Sequence, residues 1–156
     1  MINNFASFLT LENIFLISNW GVIPFWLLLI FSPSSGITKV LLNSIVIPLL
    51  LASAYIFVVY KVYQNGNFLD SFQLYLGIES LYTLFSDENF LLIFWLHFLS
   101  ISLFVGSWIA RDALKYSIPN FLTAMALVFT YFTGPLGIVI YSIIRVFFSK
   151  KISLNE

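Results

Sequence analysis

Four long apolar runs, separated by short polar segments, dominate the hydropathy pattern of the chain. They lie at about residues 13–32, 40–60, 90–110 and 121–144. Each run holds roughly 20 residues, which at 1.5 Å per helical residue crosses a hydrocarbon core of about 30 Å. Helices are expected because isolated strands in lipid leave their backbone groups unpaired. The pattern therefore predicts an all-α membrane protein with four transmembrane helices in a single domain, residues 1–156.

The segment between the second and third runs has a different pattern. From residue 71 to 85, apolar residues recur at helical spacing: Leu74, Ile78, Leu81, Tyr82 and Phe85. This spacing is typical of a short amphipathic helix in the membrane interface. Ser86, Asp87 and Glu88 follow it and are predicted to cap the third span, where a helix N-terminus favours negative charge.

Prolines lie within three of the four runs. Pro24, Pro48 and Pro135 each lack a backbone donor and are predicted to kink their helices. Kinked helices with small residues leave concave space in which a flat hydrophobic ligand can lie. Ordinary packing adjustment is the other interpretation, because prolines are common in membrane helices.

Composition supports the membrane assignment and excludes several classes of protein. The chain is 60% hydrophobic and 9% charged, whereas a soluble domain carries about a quarter charged residues. Seven basic and seven acidic residues cancel, so there is no basic stripe and no nucleic-acid partner is expected. The absence of cysteine excludes disulfides, iron–sulfur clusters and thiol catalysis.

Basic residues give little information on orientation or targeting. The first twelve residues contain no Lys or Arg, so a cleaved presequence is not expected. With four spans, Lys61, Arg145, Lys150 and Lys151 lie on one side and Lys39, Arg111 and Lys115 on the other. Four against three leaves the orientation open, although the cluster at the end of the chain favours termini on the cytoplasmic or stromal face.

The single histidine, His97, lies inside the third predicted span. Ionisable groups at that depth are costly and are functional candidates. Its side of the helix also carries Ser100, Phe104, Ser107, Trp108 and Arg111. We expect this stripe to face the interior of the bundle. The alternative is that His97 bonds to Asn19, Asn43 or a carbonyl and only fixes packing.

The sequence gives little support for a metal centre, a serine hydrolase site, a channel or a transporter. One histidine without a nearby carboxylate in the spans cannot build a zinc or di-iron centre, so no metal site is expected. A single axial ligand to a tetrapyrrole such as chlorophyll remains compatible with His97. No Gly-x-Ser-x-Gly elbow is present, and the spans lack the charge series of channels and transporters.

Two further groups of residues are candidates for binding. Arg111 and Asp112 end the third run, where they either contact the polar end of a lipid-like substrate or form a solvated cluster with an Asp112–Lys115 pair. The four tryptophans are Trp20, Trp26, Trp95 and Trp108. They are interpreted either as interfacial anchors or as the lining of a cleft.

Several short motifs resemble one family. They are Asn19-Trp20, Pro24-Phe25-Trp26, Trp95-x-His97, Leu103-Phe104-Val105-Gly106-x-Trp108-Ile109-x-x-Asp112-Ala113, Ile118-Pro119 and Gly134-Pro135-Leu136-Gly137. The chain is similar, over essentially its whole length, to the abscisic-acid-deficient-four-like family. These are small integral membrane proteins of plants, algae and bacteria. Plant members are required to make neoxanthin from violaxanthin in plastid membranes.

The resemblance implies a carotenoid-handling protein of a thylakoid or bacterial inner membrane. It implies xanthophyll formation by isomerisation of a 5,6-epoxide to an allenic alcohol, which needs an acid, a base and no redox cofactor. His97 is the predicted catalytic residue. Ser102 stands where the family commonly has an acid, and its hydroxyl is predicted to assist by hydrogen bonding.

The remaining predicted contacts to substrate or pigment are Trp20, Trp26, Trp95, Trp108, Arg111 and Asp112. The expected partners are membrane lipid, a carotenoid and other subunits of a membrane complex. The alternative is a non-catalytic pigment-binding or structural subunit of a photosynthetic membrane complex. Ser102 in place of an acid favours that alternative, whereas His97 and Asp112 favour the enzyme.

Overall fold

All regular structure in the described residues is helical. The computed structural model describes residues 9–42, 46–64, 72–73 and 75–150, with the side chains of 41–42 and 46–48 outside that description. The helices are α1 Leu11–Gly21, α2 Ile23–Phe31, α3 Gly36–Leu42, α4 Val46–Gln64, α5 Ile78–Phe85, α6 Glu88–Lys115, α7 Asn120–Thr133 and α8 Pro135–Ser149. The all-α prediction is confirmed.

Two described stretches are long and apolar enough to cross a membrane. They are Leu11–Phe31, with 21 residues, and α6, with 28. They contain most of the first predicted span and all of the third, and they are consistent with a membrane protein. The second predicted span falls on α3 and α4, with residues 43–45 outside the described part. Four spans are not confirmed.

The first span is interrupted by one residue next to its proline. Between α1 and α2, the Val22 carbonyl accepts the backbone N–H groups of Phe25 and Trp26, both at 3.1 Å. Pro24 occupies the first turn of α2, where a missing N–H costs nothing. The kink predicted at Pro24 is thus a short break in the helix.

The amphipathic helix between the second and third runs is shorter than predicted. It begins at Ile78 rather than at residue 71, because Gly77 has φ 152°, a conformation that suits only glycine. Leu74 lies outside the described residues. The predicted cap is confirmed: Asp87 Oδ1 accepts the backbone N–H groups of Asn89 at 2.9 Å and Phe90 at 3.2 Å.

The helices divide into two compact units, each with its own buried residues. The first comprises Met1–Gly21 and Leu49–Ser100, and the second comprises Val22–Pro48 and Ile101–Glu156. The core of the first unit is Ile14, Val58, Leu92 and Leu96. In the second unit, α7 packs against both α2 and α8.

In the second unit, Gly106 of α6 makes room for a tryptophan side chain from α2. The indole ring of Trp26 lies so near Gly106 that a Cβ there would meet Trp26 Cη2 at 2.7 Å. The position therefore excludes any larger side chain without a shift of Trp26.

The fourth predicted span, 121–144, is not one helix. Gly134 has φ 63° and ψ −83°, and α8 starts at Pro135 and folds back along α7. A Cβ at Gly137 would overlap Thr130, a contact that a continuous helix could not make across seven residues. Pro135 therefore ends one helix and begins another instead of kinking a single span. We call α7 and α8 together the C-terminal hairpin.

Replacing Gly137 should test how tightly this hairpin closes. Gly137→Ala places a methyl group against the backbone of Thr130 and should lower the free energy of unfolding by about 1–3 kcal/mol. Gly21→Ala is the matched control, because a Cβ at Gly21 meets nothing within 4 Å, and should stay within about 0.5 kcal/mol. Unfolding in detergent, followed by circular dichroism, measures both. Equal losses in the two variants would contradict the close contact.

Candidate functional site

His97 lies on an exposed side of α6 in the first unit, so the expectation that it faces the interior is wrong. The buried face of this part of α6 carries Leu92, Leu96 and Leu99, which recur at helical spacing. Successive residues are 100° apart on a helix, so His97 falls beside this face rather than on it. The leucines, and not the polar stripe, determine which side of the helix is buried.

The exposed side of His97 forms one wall of an apolar groove. The groove has a volume of about 310 Å³ and is lined by Tyr55 from α4, Leu81, Leu84 and Phe85 from α5, and Phe90, Ile93, Phe94 and His97 from α6. The ring centroids of His97 and Tyr55 are 6.3 Å apart. Two polar groups therefore share an otherwise hydrophobic surface, a combination typical of a ligand site.

Trp95 lines a second, larger cavity in the same unit. This cavity has a volume of about 540 Å³ and is lined by Leu11, Glu12, Phe15, Glu88, Leu91, Leu92 and Trp95. The Trp95 indole stacks on Phe98 with centroids 5.5 Å apart. Its Nε1 is buried without a hydrogen-bond partner among the described residues. Trp95 therefore lines a cavity, and its predicted contact with pigment stays a prediction.

Asp112 belongs to a buried ion pair in the second unit. Its Oδ2 accepts the Tyr141 hydroxyl at 2.6 Å and Arg145 Nε at 2.7 Å. The side chains of Arg145 and Asp112 are 3% and 13% exposed. The guanidinium of Arg145 also lies over the ring of Tyr116, 4.9 Å from its centroid, and donates to the Tyr116 hydroxyl at 3.3 Å. The interpretation of Asp112 as a solvated charge is wrong.

The ion pair fixes the C-terminal hairpin to α6. Tyr141 and Arg145 are one turn apart on α8, so both reach the same carboxylate on α6. Trp108 covers this contact, with its ring edge-on to Tyr141 at 5.4 Å. A carboxylate that already accepts two strong hydrogen bonds has a clear structural role, and its predicted contact with substrate stays a prediction.

The other predicted residues are divided between the units. Trp20 is 66% exposed and belongs to the first unit. Ser102 is buried at 5% exposure in the second unit. Trp26 is buried there against Gly106 and Tyr131, and Arg111 lines a small pocket with Lys39.

Three important residues were missed by the sequence patterns. Tyr55 is one of three aromatic residues in the second apolar run, and nothing in its spacing sets it apart. Tyr141 lies inside the fourth run, and Arg145 directly follows it, where an arginine resembles a simple stop to a span. Their spacing of four residues was the available signal, since it places two polar side chains on one face.

The family model of the ABA DEFICIENT 4-like family matches residues 13–141. The chain belongs to this family. The match includes His97, Ser102 and Asp112, and it ends at Tyr141, so Arg145 lies just beyond the matched residues. No curated protein and no solved structure matches the chain.

Removing Arg145 from the buried ion pair should strongly lower the stability of the fold. Arg145→Met leaves the Asp112 carboxylate buried without its counter-charge and should lower the free energy of unfolding by about 3–5 kcal/mol. The double variant Asp112→Leu/Arg145→Met should recover most of this loss, because no unpaired charge remains. Unfolding in detergent measures all variants.

Lys150→Gln is the matched control, since Lys150 is an exposed cation at the end of the same helix. It should change the free energy of unfolding by less than about 0.5 kcal/mol. If the double variant is less stable than Arg145→Met alone, the loss in the single variant does not come from an unpaired charge.

Proposed function

We propose that this protein is a multi-pass membrane protein that binds a carotenoid in the His97 groove and isomerises it. Membership of the ABA DEFICIENT 4-like family supports a role related to carotenoids and neoxanthin. The observation that carries the proposal is the groove itself, in which His97 and Tyr55 share an apolar surface. No redox cofactor is required, because the product is an isomer of the substrate.

The shape and position of the groove suit the end ring of a carotenoid. Its lining is mainly Leu, Ile and Phe from α5 and α6, and such surfaces bind flat hydrophobic rings. Because His97 is exposed and not enclosed, a long polyene can extend from the groove into surrounding lipid. A substrate dissolved in the membrane then reaches His97 without leaving the hydrocarbon phase.

His97 and Tyr55 supply the two proton transfers that the isomerisation needs. The His97 imidazole removes the proton from the polyene carbon next to the epoxide, and the electrons of that C–H bond form the allene. As the C–O bond of the epoxide breaks, its oxygen takes the proton of the Tyr55 hydroxyl and becomes an alcohol. Transfer of the proton from the imidazolium to the tyrosinate restores both residues.

Pigment binding without chemistry is the second candidate function. The Trp95 cavity favours it, because about 540 Å³ of mainly apolar space beside a tryptophan suits a conjugated molecule as well as the groove does. A protein of this kind retains pigment unchanged and stabilises a membrane complex. The two functions differ in whether the bound pigment is converted.

We propose three membrane crossings, which correspond to the first three apolar runs of the sequence, followed by the C-terminal hairpin, which enters and leaves on one side. Helices α7 and α8 have 14 and 15 residues, about 21–23 Å, which is less than the hydrocarbon core. Five of the six described basic residues belong to the second unit, namely Lys39, Arg111, Lys115, Arg145 and Lys150, whereas Lys61 belongs to the first. By the positive-inside rule, the segment after α6 lies on the cytoplasmic or stromal side.

Removing the imidazole should abolish conversion. Expressed in a host that makes violaxanthin, the wild-type chain should produce a new xanthophyll, and His97→Gln should produce none, because no group remains to take the proton. Tyr55→Phe should lower the yield at least 100-fold, which is typical for loss of a general acid. Pigments are quantified by liquid chromatography from membranes with matched amounts of protein.

Tyr82→Phe is the control, since Tyr82 is an exposed tyrosine of α5 that does not line the groove. It should retain full conversion. If wild type co-purifies with unchanged pigment and His97→Gln does the same, the pigment-binding function replaces the isomerase. If His97→Gln converts pigment normally, the proposed role of His97 is wrong.

If the C-terminal hairpin does not cross the membrane, Ser34 and Glu156 lie on the same side of it. Reporter fusions after Ser34 and after Glu156 should give the same signal, both cytoplasmic or stromal, because the hairpin returns to the side on which α6 ends. A fourth full crossing would instead give opposite signals. Fusion after Gly134 tests the same point at the tip of the hairpin, where a reporter should disturb insertion.

A further inference from the structure

The small pocket beside Arg111 in the second unit collects two positive charges. It has a volume of about 100 Å³ and is lined by Leu29, Pro33, Thr38, Lys39, Ser107, Ala110, Arg111 and Leu114. Lys39 and Arg111 come from α3 and α6, far apart in sequence, so the fold brings them together. Like charges repel, and their convergence on one pocket indicates a site for an anion.

Among the described residues, no carboxylate forms an ion pair with Lys39 or Arg111. The acid nearest to Arg111 in sequence is Asp112. Its Oδ2 already forms an ion pair with Arg145 Nε, at 2.7 Å. The contact that the structure gives the Arg111 side chain is from Nε to the Ser107 carbonyl at 3.4 Å, within its own helix. The ion pair that fixes the hairpin therefore leaves Arg111 available for an external anion.

The walls of the pocket indicate what carries the anion. Leu29, Pro33, Ala110 and Leu114 are apolar, and the neighbouring side chains Phe31, Ile37 and Val40 are exposed hydrophobics. An anion with attached hydrocarbon satisfies both the charged centre and this surrounding surface. Lys39 and Arg111 also lie at the ends of apolar runs, where lipid phosphates are found in a membrane.

We propose that the Lys39–Arg111 pocket binds the phosphate of an anionic phospholipid. The guanidinium of Arg111 pairs with phosphate oxygens through its planar donors, and Lys39 adds a compact second charge. The acyl chains lie along the exposed apolar side chains beside the pocket. This site is independent of the proposed carotenoid chemistry, because it uses no residue of the His97 groove.

The test measures lipid retention by the full chain purified in detergent. Wild type is titrated with phosphatidylglycerol, with phosphatidylcholine of the same acyl chains, and with inorganic phosphate. Bound lipid is counted by native mass spectrometry, and the midpoint of thermal unfolding is recorded in parallel. We expect phosphatidylglycerol to be retained and to raise the midpoint, whereas phosphatidylcholine and inorganic phosphate have little effect.

Variants assign the effect to the pocket. Lys39→Gln and Arg111→Gln should each weaken phosphatidylglycerol binding roughly fivefold, and together about 25-fold, as expected for one charge near an anionic lipid per substitution. Lys150→Gln, which removes an exposed cation outside the pocket, should bind as wild type. Lys39→Arg and Arg111→Lys keep the charge and should keep most of the binding.

The opposite results overturn the proposal. If phosphatidylglycerol and phosphatidylcholine are retained equally, the protein does not recognise the charge of the lipid. If Lys150→Gln loses as much phosphatidylglycerol binding as Lys39→Gln or Arg111→Gln, the lipid binds to the basic surface in general and not to the pocket. Protection by inorganic phosphate as strong as by phosphatidylglycerol replaces the lipid with a free anion. Loss of binding in the charge-conserving variants assigns the effect to packing.

Discussion

The buried ion pair between Asp112 and Arg145 is the interaction on which the second unit depends. Two opposite charges removed from water are stable only when each is satisfied by the other and by further hydrogen bonds. Tyr141 and Tyr116 supply those bonds, and Trp108 covers one edge. Because the partners come from α6 and α8, the pair determines that the last helix returns along α7. It also removes Asp112 as a free carboxylate, which concentrates the uncompensated positive charge on Arg111 and Lys39.

The first unit follows a simpler constraint, the burial of leucines on one face of α6. Leu92 and Leu96 pack on Ile14 and Val58, which turns His97 toward the exposed side. Because His97 lies outside the core, it is accessible to a ligand in the surrounding lipid. The same displacement brings His97 beside Tyr55, so the two polar groups of the groove result from apolar packing.

Sequence periodicity predicted the helices well and the partners of their side chains poorly. The apolar run of α6 and the cap at Asp87 were evident, because length and local hydrogen bonding are encoded within a few residues. The hairpin was missed because hydropathy is continuous through Gly134 and Pro135, and hydropathy does not report the conformation of Gly134, at which the chain reverses. His97 was assigned to the wrong face because polarity was given more weight than the leucine spacing. Tyr55 and Arg145 were missed because their roles require contacts between distant helices.

The spacing of the ion pair in the chain has a consequence for biosynthesis. Asp112 and Arg145 are separated by 33 residues, and at about 5–20 residues per second a ribosome needs roughly 2–7 s to make that stretch. During this interval the carboxylate lacks the counter-charge that Arg145 supplies in the finished fold. The last helix completes the environment of α6, so the second unit forms its ion pair only after α8 has been made. A chain truncated before Arg145 would keep the Asp112 carboxylate without this partner, at the end of a helix that is already complete.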